Sequence, residues 1–142
     1  MNYIAFTGGG TGGHIYPGLA VCDELRLLLK KEGIENIHFF WIGNTIGMDK
    51  TIVEKSGSVD FFKGIPCGKL RRYFSIQNIL DLIKIFSGFV SSLLLLMRYK
   101  PLFLFSKGGF VSVPPCYAAK IVKIPVFTHE CDFSPGLATK LN

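Results

Sequence analysis

Residues 7–18 read Thr7-Gly8-Gly9-Gly10-Thr11-Gly12-Gly13-His14-Ile15-Tyr16-Pro17-Gly18, and no other stretch restricts the fold as much. Tyr3-Ile4-Ala5-Phe6, a short apolar run expected to be a buried strand, comes before it. Leu19-Ala20-Val21-Cys22-Asp23-Glu24-Leu25, expected to be a helix, comes after. Five glycines in six positions cost backbone entropy, and the usual compensation is a sharp turn with a close approach to another group. At a strand-to-helix junction that group is commonly a phosphate, because the free helix N–H groups and the helix dipole both favour an anion. A flexible turn with no ligand is the plain alternative.

Three ligand classes use such a loop. A nucleotide-hydrolase P-loop needs Lys and then Ser or Thr after the last glycine, where this chain has His14 and Ile15, so that reading fails. A dinucleotide site fits the spacing of Gly8, Gly10 and Gly13 but also needs an acid after the second strand. That strand, expected over 37–42, runs into Gly43-Asn44-Thr45 with no acid. The third class is a nucleotide-sugar or sugar-diphosphate site. There His14 has the intrinsic pKa for acid/base work, and the amides of Thr11, Gly12 and Gly13 face the diphosphate. A histidine that only holds a neighbouring loop remains the structural alternative.

Short apolar strands alternate with helical stretches down the chain, which predicts an α/β fold: a Rossmann-like open parallel sheet with helices on both faces. Pro17 suits the start of the first helix, with Leu19, Val21, Cys22, Leu25 and Leu28 on one face. A short helix over 48–55 and a strand over 59–62 follow. The loop Gly64-Ile65-Pro66-Cys67-Gly68-Lys69-Leu70-Arg71-Arg72-Tyr73-Phe74 mixes basic and aromatic residues. Next, a long helix is expected over 76–99, with Gln77, Asp81, Lys84, Gly88, Ser91 and Ser92 on one side. Ile79, Leu82, Ile83, Phe86, Val90 and Leu93 lie on the other. Its uncharged run, 85–97, covers thirteen residues against the roughly twenty that a membrane span needs. A well-buried helix of the sandwich is one reading. An apolar end lying on an anionic membrane beside Lys69, Arg71 and Arg72 is the other. Strands are expected over 101–105 and 125–128, with a helix opened by Pro114-Pro115 between them. The loops after strands one, four and five then share the carboxyl edge of the sheet, where ligands bind in such folds.

A chain of 142 residues is one domain by size, and its net charge of +6 suggests anionic partners. Basic and aromatic residues do not interleave as nucleic-acid binders require, so no nucleic-acid partner is expected. Cys22, Cys67, Cys116 and Cys131 are widely spaced without a CxxC, as incidental thiols of a reducing compartment would be. The N-terminus lacks the pattern of a signal peptide, which suggests a cytosolic protein. No Asp-x-Asp pair is present, which disfavours a metal-dependent sugar-nucleotide site; no metal and no cofactor are expected. The last residues look like the start of a new helix near Pro135, as in the first half of a longer protein.

The stretch 7–14, Tyr16-Pro17-Gly18-Leu19-Ala20, Ser106-Lys107-Gly108-Gly109-Phe110-Val111-Ser112, and His129-Glu130 with Pro135-Gly136-Leu137-Ala138 together resemble the MurG family. These are the N-acetylglucosaminyltransferases that convert lipid I to lipid II in bacterial peptidoglycan synthesis. The resemblance implies the N-terminal, acceptor-binding half (1–142) of a two-domain GT-B enzyme, with a C-terminal donor domain absent from this chain. It implies an inverting transfer from UDP-N-acetylglucosamine to a lipid-linked muramyl-pentapeptide acceptor, by a peripheral protein on the cytoplasmic face of the cell membrane. His14 would be the catalytic base. Thr11, Gly12, Gly13 and Asp132 would lie on the donor diphosphate, and Lys107, Gly108, Gly109, Phe110 and Glu130 on the acceptor. Lys69, Arg71 and Arg72 would face the anionic inner-membrane surface. Two departures stand out. The family's His-Glu-Gln-Asn is His129-Glu130-Cys131-Asp132 here, and Ser106-Lys107 replaces more apolar residues. The alternatives are a related nucleotide-sugar transferase with another acceptor, and a Rossmann-like membrane-docking module for a separate catalytic chain.

Overall fold

The structure is a computed structural model that describes residues 2–9, 12–45, 47–67 and 76–129. Five strands form one sheet: β1 (Asn2–Thr7), β2 (Ile37–Asn44), β3 (Phe61–Ile65), β4 (Leu104–Ser106) and β5 (Val126–Thr128). Their order is β3-β2-β1-β4-β5, and every neighbouring pair is parallel. The connections are helices α1 (Gly12–Lys31), α2 (Asp49–Ser56), α3 (Ile76–Tyr99) and α4 (Val113–Ile121), the last preceded by a 3-10 turn at Phe110–Ser112. From β1 the chain steps to β2 and β3, then returns across the sheet to β4 on the other side of β1. The strand order therefore reverses at β1 and β4, and a crevice opens at their carboxyl ends.

Strands covered on both faces have unbroken apolar sequence, but their side chains still alternate. Ala5, Phe40, Ile42 and Leu104 pack with Leu96 of α3 and Cys116, Ala118 and Ala119 of α4. Ile4, Phe6, Phe39 and Trp41 pack with Ile15, Leu19 and Cys22 of α1 and Val53 of α2. The expected α/β sheet with helices on both faces is thus the observed one.

Two boundaries differ from expectation for identifiable reasons. The first helix starts at Gly12, not at Pro17, and carries that proline inside it. Ile15, Leu19 and Cys22 are all buried, so the helical burial period reaches back past the proline. Leu28, expected on the same face, is exposed. The third strand starts at Phe61, because the Asp60 carboxylate accepts the Phe39 N–H at 2.7 Å and caps the ladder there. The thiols of Cys22, Cys67 and Cys116 are free. Burial pushes Cys116 up to about 11 and Cys67 up to about 12, which leaves both protonated and poor nucleophiles at neutral pH.

The long helix α3 packs by its side of small and polar residues. Asp81, Gly88 and Ser92, from the side shared with Gln77 and Lys84 in sequence, are buried, together with Leu96. Ile79, Leu82, Ile83, Phe86 and Val90 are exposed, Phe86 by 68%, and only Leu93 of the apolar set packs partly into the core. Contact distance decides the face. A methyl group on Gly88 would overlap the Pro66 carbonyl oxygen and touch the Pro114 ring, so only a glycine lets α3 lie this close to the loop after β3. The Ser92 hydroxyl bonds internally to the Gly88 carbonyl at 2.7 Å, which satisfies it without a partner outside the helix.

Gly88→Val is expected to lower the stability of the chain by about 3 kcal/mol, the upper range for overpacking, because the obstacle is backbone. Phe86→Ser should change it by less than about 0.5 kcal/mol, as exposed positions do. Urea denaturation of both variants checks this. A costly Phe86→Ser with a harmless Gly88→Val would mean that the helix packs the other way round.

Candidate active site at the carboxyl edge of the sheet

The glycine-rich loop leaves β1 under tight local constraint. Thr7 Oγ1 donates to the Ile42 carbonyl at 2.8 Å, which ties the end of β1 to β2. The buried Trp41 indole donates its Nε1–H to the Gly8 carbonyl at 3.1 Å, so Gly8 meets the loop's hydrogen-bond demand from below. The same ring lies where a side chain on Gly18 would have to go. Asp49, 1% exposed, fills the space beside Gly9 so closely that any side chain there would overlap its carboxylate. That carboxylate also accepts the Asn44 N–H at 3.0 Å and thereby joins the loop, the end of β2 and the start of α2.

The second glycine pair is built differently. The Lys107 N–H reaches the Thr7 carbonyl at 2.9 Å, and the His129 N–H reaches the Ser106 carbonyl at 3.0 Å. The ends of β1, β4 and β5 are thereby laced together. Gly108 and Gly109 both have positive φ, 96° and 86°, which other residues rarely adopt. The Gly108 N–H is held by Ser106 Oγ at 3.2 Å, and Ser112 closes onto the Gly109 carbonyl at 2.8 Å before α4 begins. Lys107 is 4% exposed, and its ammonium lies in hydrogen-bond contact with Nδ1 of His129.

Gly12, Gly13 and His14 occupy the first turn of α1, where backbone N–H groups have no partner within the helix. Lys107, Gly108 and Gly109 come to the same edge of the sheet through the Lys107–Thr7 bond. His14 and Phe110 are described by their backbone alone. Thr11, Lys69, Arg71, Arg72, Glu130, Cys131 and Asp132 lie outside the described residues. The sequence did not point to Trp41 or Asp49. Trp41 looked like one more apolar strand residue, and an acid in the first turn of α2 is ordinary helix-dipole chemistry. The departures from a bland pattern were Gly9 and Gly18, whose partners only the fold discloses. An apolar groove of about 600 Å³, lined by Phe6, Val21, Leu25, Phe103, Phe105 and Phe127, lies between α1 and the β4–β5 side.

Gly9→Ala should distort the loop through its clash with Asp49, and Asp49→Ala should loosen it by releasing the Asn44 N–H. Residues in contact couple, so the double variant should be less destabilised than the sum of the two, by about 1 kcal/mol or more. Additive effects in a denaturation cycle would show that the carboxylate does not abut the loop.

Residues 4–142 match the glycosyltransferase family 28 N-terminal domain. The chain is 57% identical, over its whole length, to the UDP-N-acetylglucosamine–N-acetylmuramyl-(pentapeptide) pyrophosphoryl-undecaprenol N-acetylglucosamine transferase of Treponema denticola. It is 50% identical to that of Treponema pallidum and 47% to that of Borrelia turicatae, each over 98% of the chain. It spans 36%, 34% and 37% of these three relatives. Among solved structures, Acinetobacter baumannii MurG superposes with a TM-score of 0.78 at 24% identity, covering 99% of this chain and 38% of that one. A UDP-GlcNAc 2-epimerase from Neisseria meningitidis superposes at 0.53 and 16% identity over 90% of this chain and 32% of its own. At such identities these two structures speak for the fold alone. The glycine-loop motifs, the doubly wound sheet and the match over residues 4–142 agree: the chain belongs to the glycosyltransferase family 28 N-terminal domain family.

Proposed function

We propose that the chain is the acceptor-binding, N-terminal half of an inverting N-acetylglucosaminyltransferase that moves N-acetylglucosamine from UDP-N-acetylglucosamine to lipid I, forming lipid II. The observation that carries the reading is the meeting of the β1, β4 and β5 ends at one edge, with the first turn of α1 beside them. The likeness to the Treponema and Borrelia transferases supports the choice of substrates. In this reading His14 takes the proton of the acceptor hydroxyl as that oxygen attacks the anomeric carbon. The carbon–oxygen bond to UDP breaks on the opposite face, with inversion. The departing diphosphate gains charge as it leaves, and the amides of Thr11, Gly12 and Gly13 stabilise it at the N-terminus of α1. Lys107, Gly108, Gly109 and Phe110 hold the lipid-linked acceptor, and Glu130 bonds a sugar hydroxyl or orients the base. Asp132 sits where the family has Asn, and as a carboxylate it would repel the donor diphosphate. Most of the donor pocket belongs to sequence that the relatives have beyond the region matched here.

The membrane side of the proposal rests on α3. Ile79, Ile83, Phe86, Val90, Leu94 and Met97 form an exposed stripe along the helix, about 27 Å long at 1.5 Å per residue. Its segment Ile79–Tyr99 has a mean hydropathy of 2.0 and is long and apolar enough to cross a membrane. Its opposite face is spoken for by Gly88 against Pro66 and by Leu96 in the core. Such a helix suits lying in the interface of the bilayer, apolar stripe down, with Lys69, Arg71 and Arg72 on anionic headgroups at the cytoplasmic face.

In the full-length protein, His14→Ala should lower kcat by roughly 10²–10⁴-fold, the usual worth of a general base, with the melting temperature nearly unchanged. His14→Gln, which keeps a hydrogen bond but takes no proton, should be almost as slow. Near-normal turnover in the Gln variant would make His14 an orienting residue. For the membrane, Ile83→Glu with Phe86→Glu should abolish binding to anionic vesicles without unfolding the chain. Charge reversal at Lys69, Arg71 and Arg72 should cost about 1 kcal/mol each, and added salt should mimic it. Equal binding to neutral and anionic vesicles would remove the basic residues from the interface.

A further inference from the structure

The contact between Lys107 and His129 fixes more than a distance. An ammonium group has three donors and no acceptor. When its Nζ meets Nδ1 of an imidazole, that nitrogen has to be the acceptor and therefore bare. The ring proton of a neutral imidazole then resides on Nε2. Lys107 is held to do this: its backbone N–H is bonded to Thr7, it is 4% exposed, and its Cβ lies near the position that a side chain on Gly18 would take. His129 is held as well, its own N–H bonded to the Ser106 carbonyl, while the residue remains exposed at the end of β5. Lysine and histidine thus meet through two separately anchored strand ends.

We propose that Lys107 is a positioning residue that fixes His129 in the Nε2–H tautomer, so that His129 offers a hydrogen-bond donor, and not a general base, at the carboxyl edge of the sheet. The arrangement resembles the way the partner of one ring nitrogen sets the role of the other in metal-bound histidines, with a cation replacing the usual carboxylate and the tautomer reversed. A donor beside a buried ammonium suits oxygen atoms of an anionic ligand, a diphosphate in the first instance. That use rests on the sugar-diphosphate reading above; the tautomer does not.

The full chain has three histidines, His14, His38 and His129, so ¹⁵N-histidine labelling and long-range proton–nitrogen correlation resolve each ring. At pH 8 the unmodified chain is expected to show His129 with Nε2 protonated and Nδ1 bare. Lys107→Met, close in shape but without the donor, should give the averaged nitrogen shifts of mixed tautomers, and Lys107→Arg should restore the single pattern. The His38 signals report whether each variant keeps the fold. Should Lys107→Met unfold, Lys107→Gln, whose amide donates or accepts, should give the same mixture. A protonated Nδ1 in the unmodified chain would overturn the proposal without any variant, since lysine would then be the acceptor. So would an unchanged pattern in a folded Met or Gln variant. Failure of the His14 transfer experiment would leave this result standing, and the reverse holds too.

Discussion

The indole of Trp41 is the constraint on which the site depends. It reaches up from β2, holds the Gly8 carbonyl and occupies the space beneath Gly18. The glycine loop therefore rests on an aromatic platform, with the Asp49 carboxylate as a wall beside Gly9. This alters what the glycines mean. Read as sequence, five of them before a helix point outward, to a phosphate that needs close backbone approach. In the fold, Gly9 and Gly18 are required by the protein's own interior, whether or not a ligand is bound. Gly12 and Gly13 lie in the first turn of α1, whose N–H groups have no partner within the helix and suit an anion. A glycine-rich motif thus carries two demands at once, and counting glycines overstates the ligand's share.

The sheet was legible because its physics is one-dimensional. Alternating apolar runs and helical stretches dictate a parallel sheet, and the glycine and proline punctuation sets the breaks within a few residues. What could not be read is whatever depends on a partner distant in sequence. Asp60 decides where β3 starts by bonding Phe39 across the sheet, and no local pattern announces that. The burial of Ile15 carries α1 back through Pro17, against the proline's preference for the first turn. Of the candidate site, the sequence identified the loops and their shared edge. The two side chains that shape the first loop, Trp41 and Asp49, were invisible to it.

The packing of α3 depends in the same way on a partner distant in sequence. Amphipathic reasoning assigns the apolar face to the interior because burial of carbon is the dominant force. That rule presumes water on the other side. In α3 the small face, Gly88 with Ser92, approaches the loop after β3 more closely than any larger side chain would allow. Dispersion at close range and the core contacts of Leu96 and Phe89 hold it there. A stripe of exposed Ile, Leu, Phe and Met then remains, far beyond the scattered apolar residues of ordinary surfaces. Such a surface makes sense where the second solvent is not water, and it favours the membrane alternative that the sequence left open beside a well-buried helix.

The choice of base can be narrowed by position among the three histidines. His38 pairs with Tyr3 near the start of β1 and lies 3.8 Å from Asp60, at the amino edge of the sheet. No ligand at the carboxyl edge can reach it across a strand of this length. His129 is at the right edge, and in the tautomer proposed above its Nε2 carries the proton and acts as a donor. His14, the base in the proposed mechanism, lies in the first turn of α1, whose N–H groups have no partner within the helix. A base there is adjacent to where negative charge develops, and proton removal and charge stabilisation then fall to one helix terminus. In the proposed mechanism the two histidines at the crevice divide the work as acceptor and donor, with Lys107 setting the tautomer of His129.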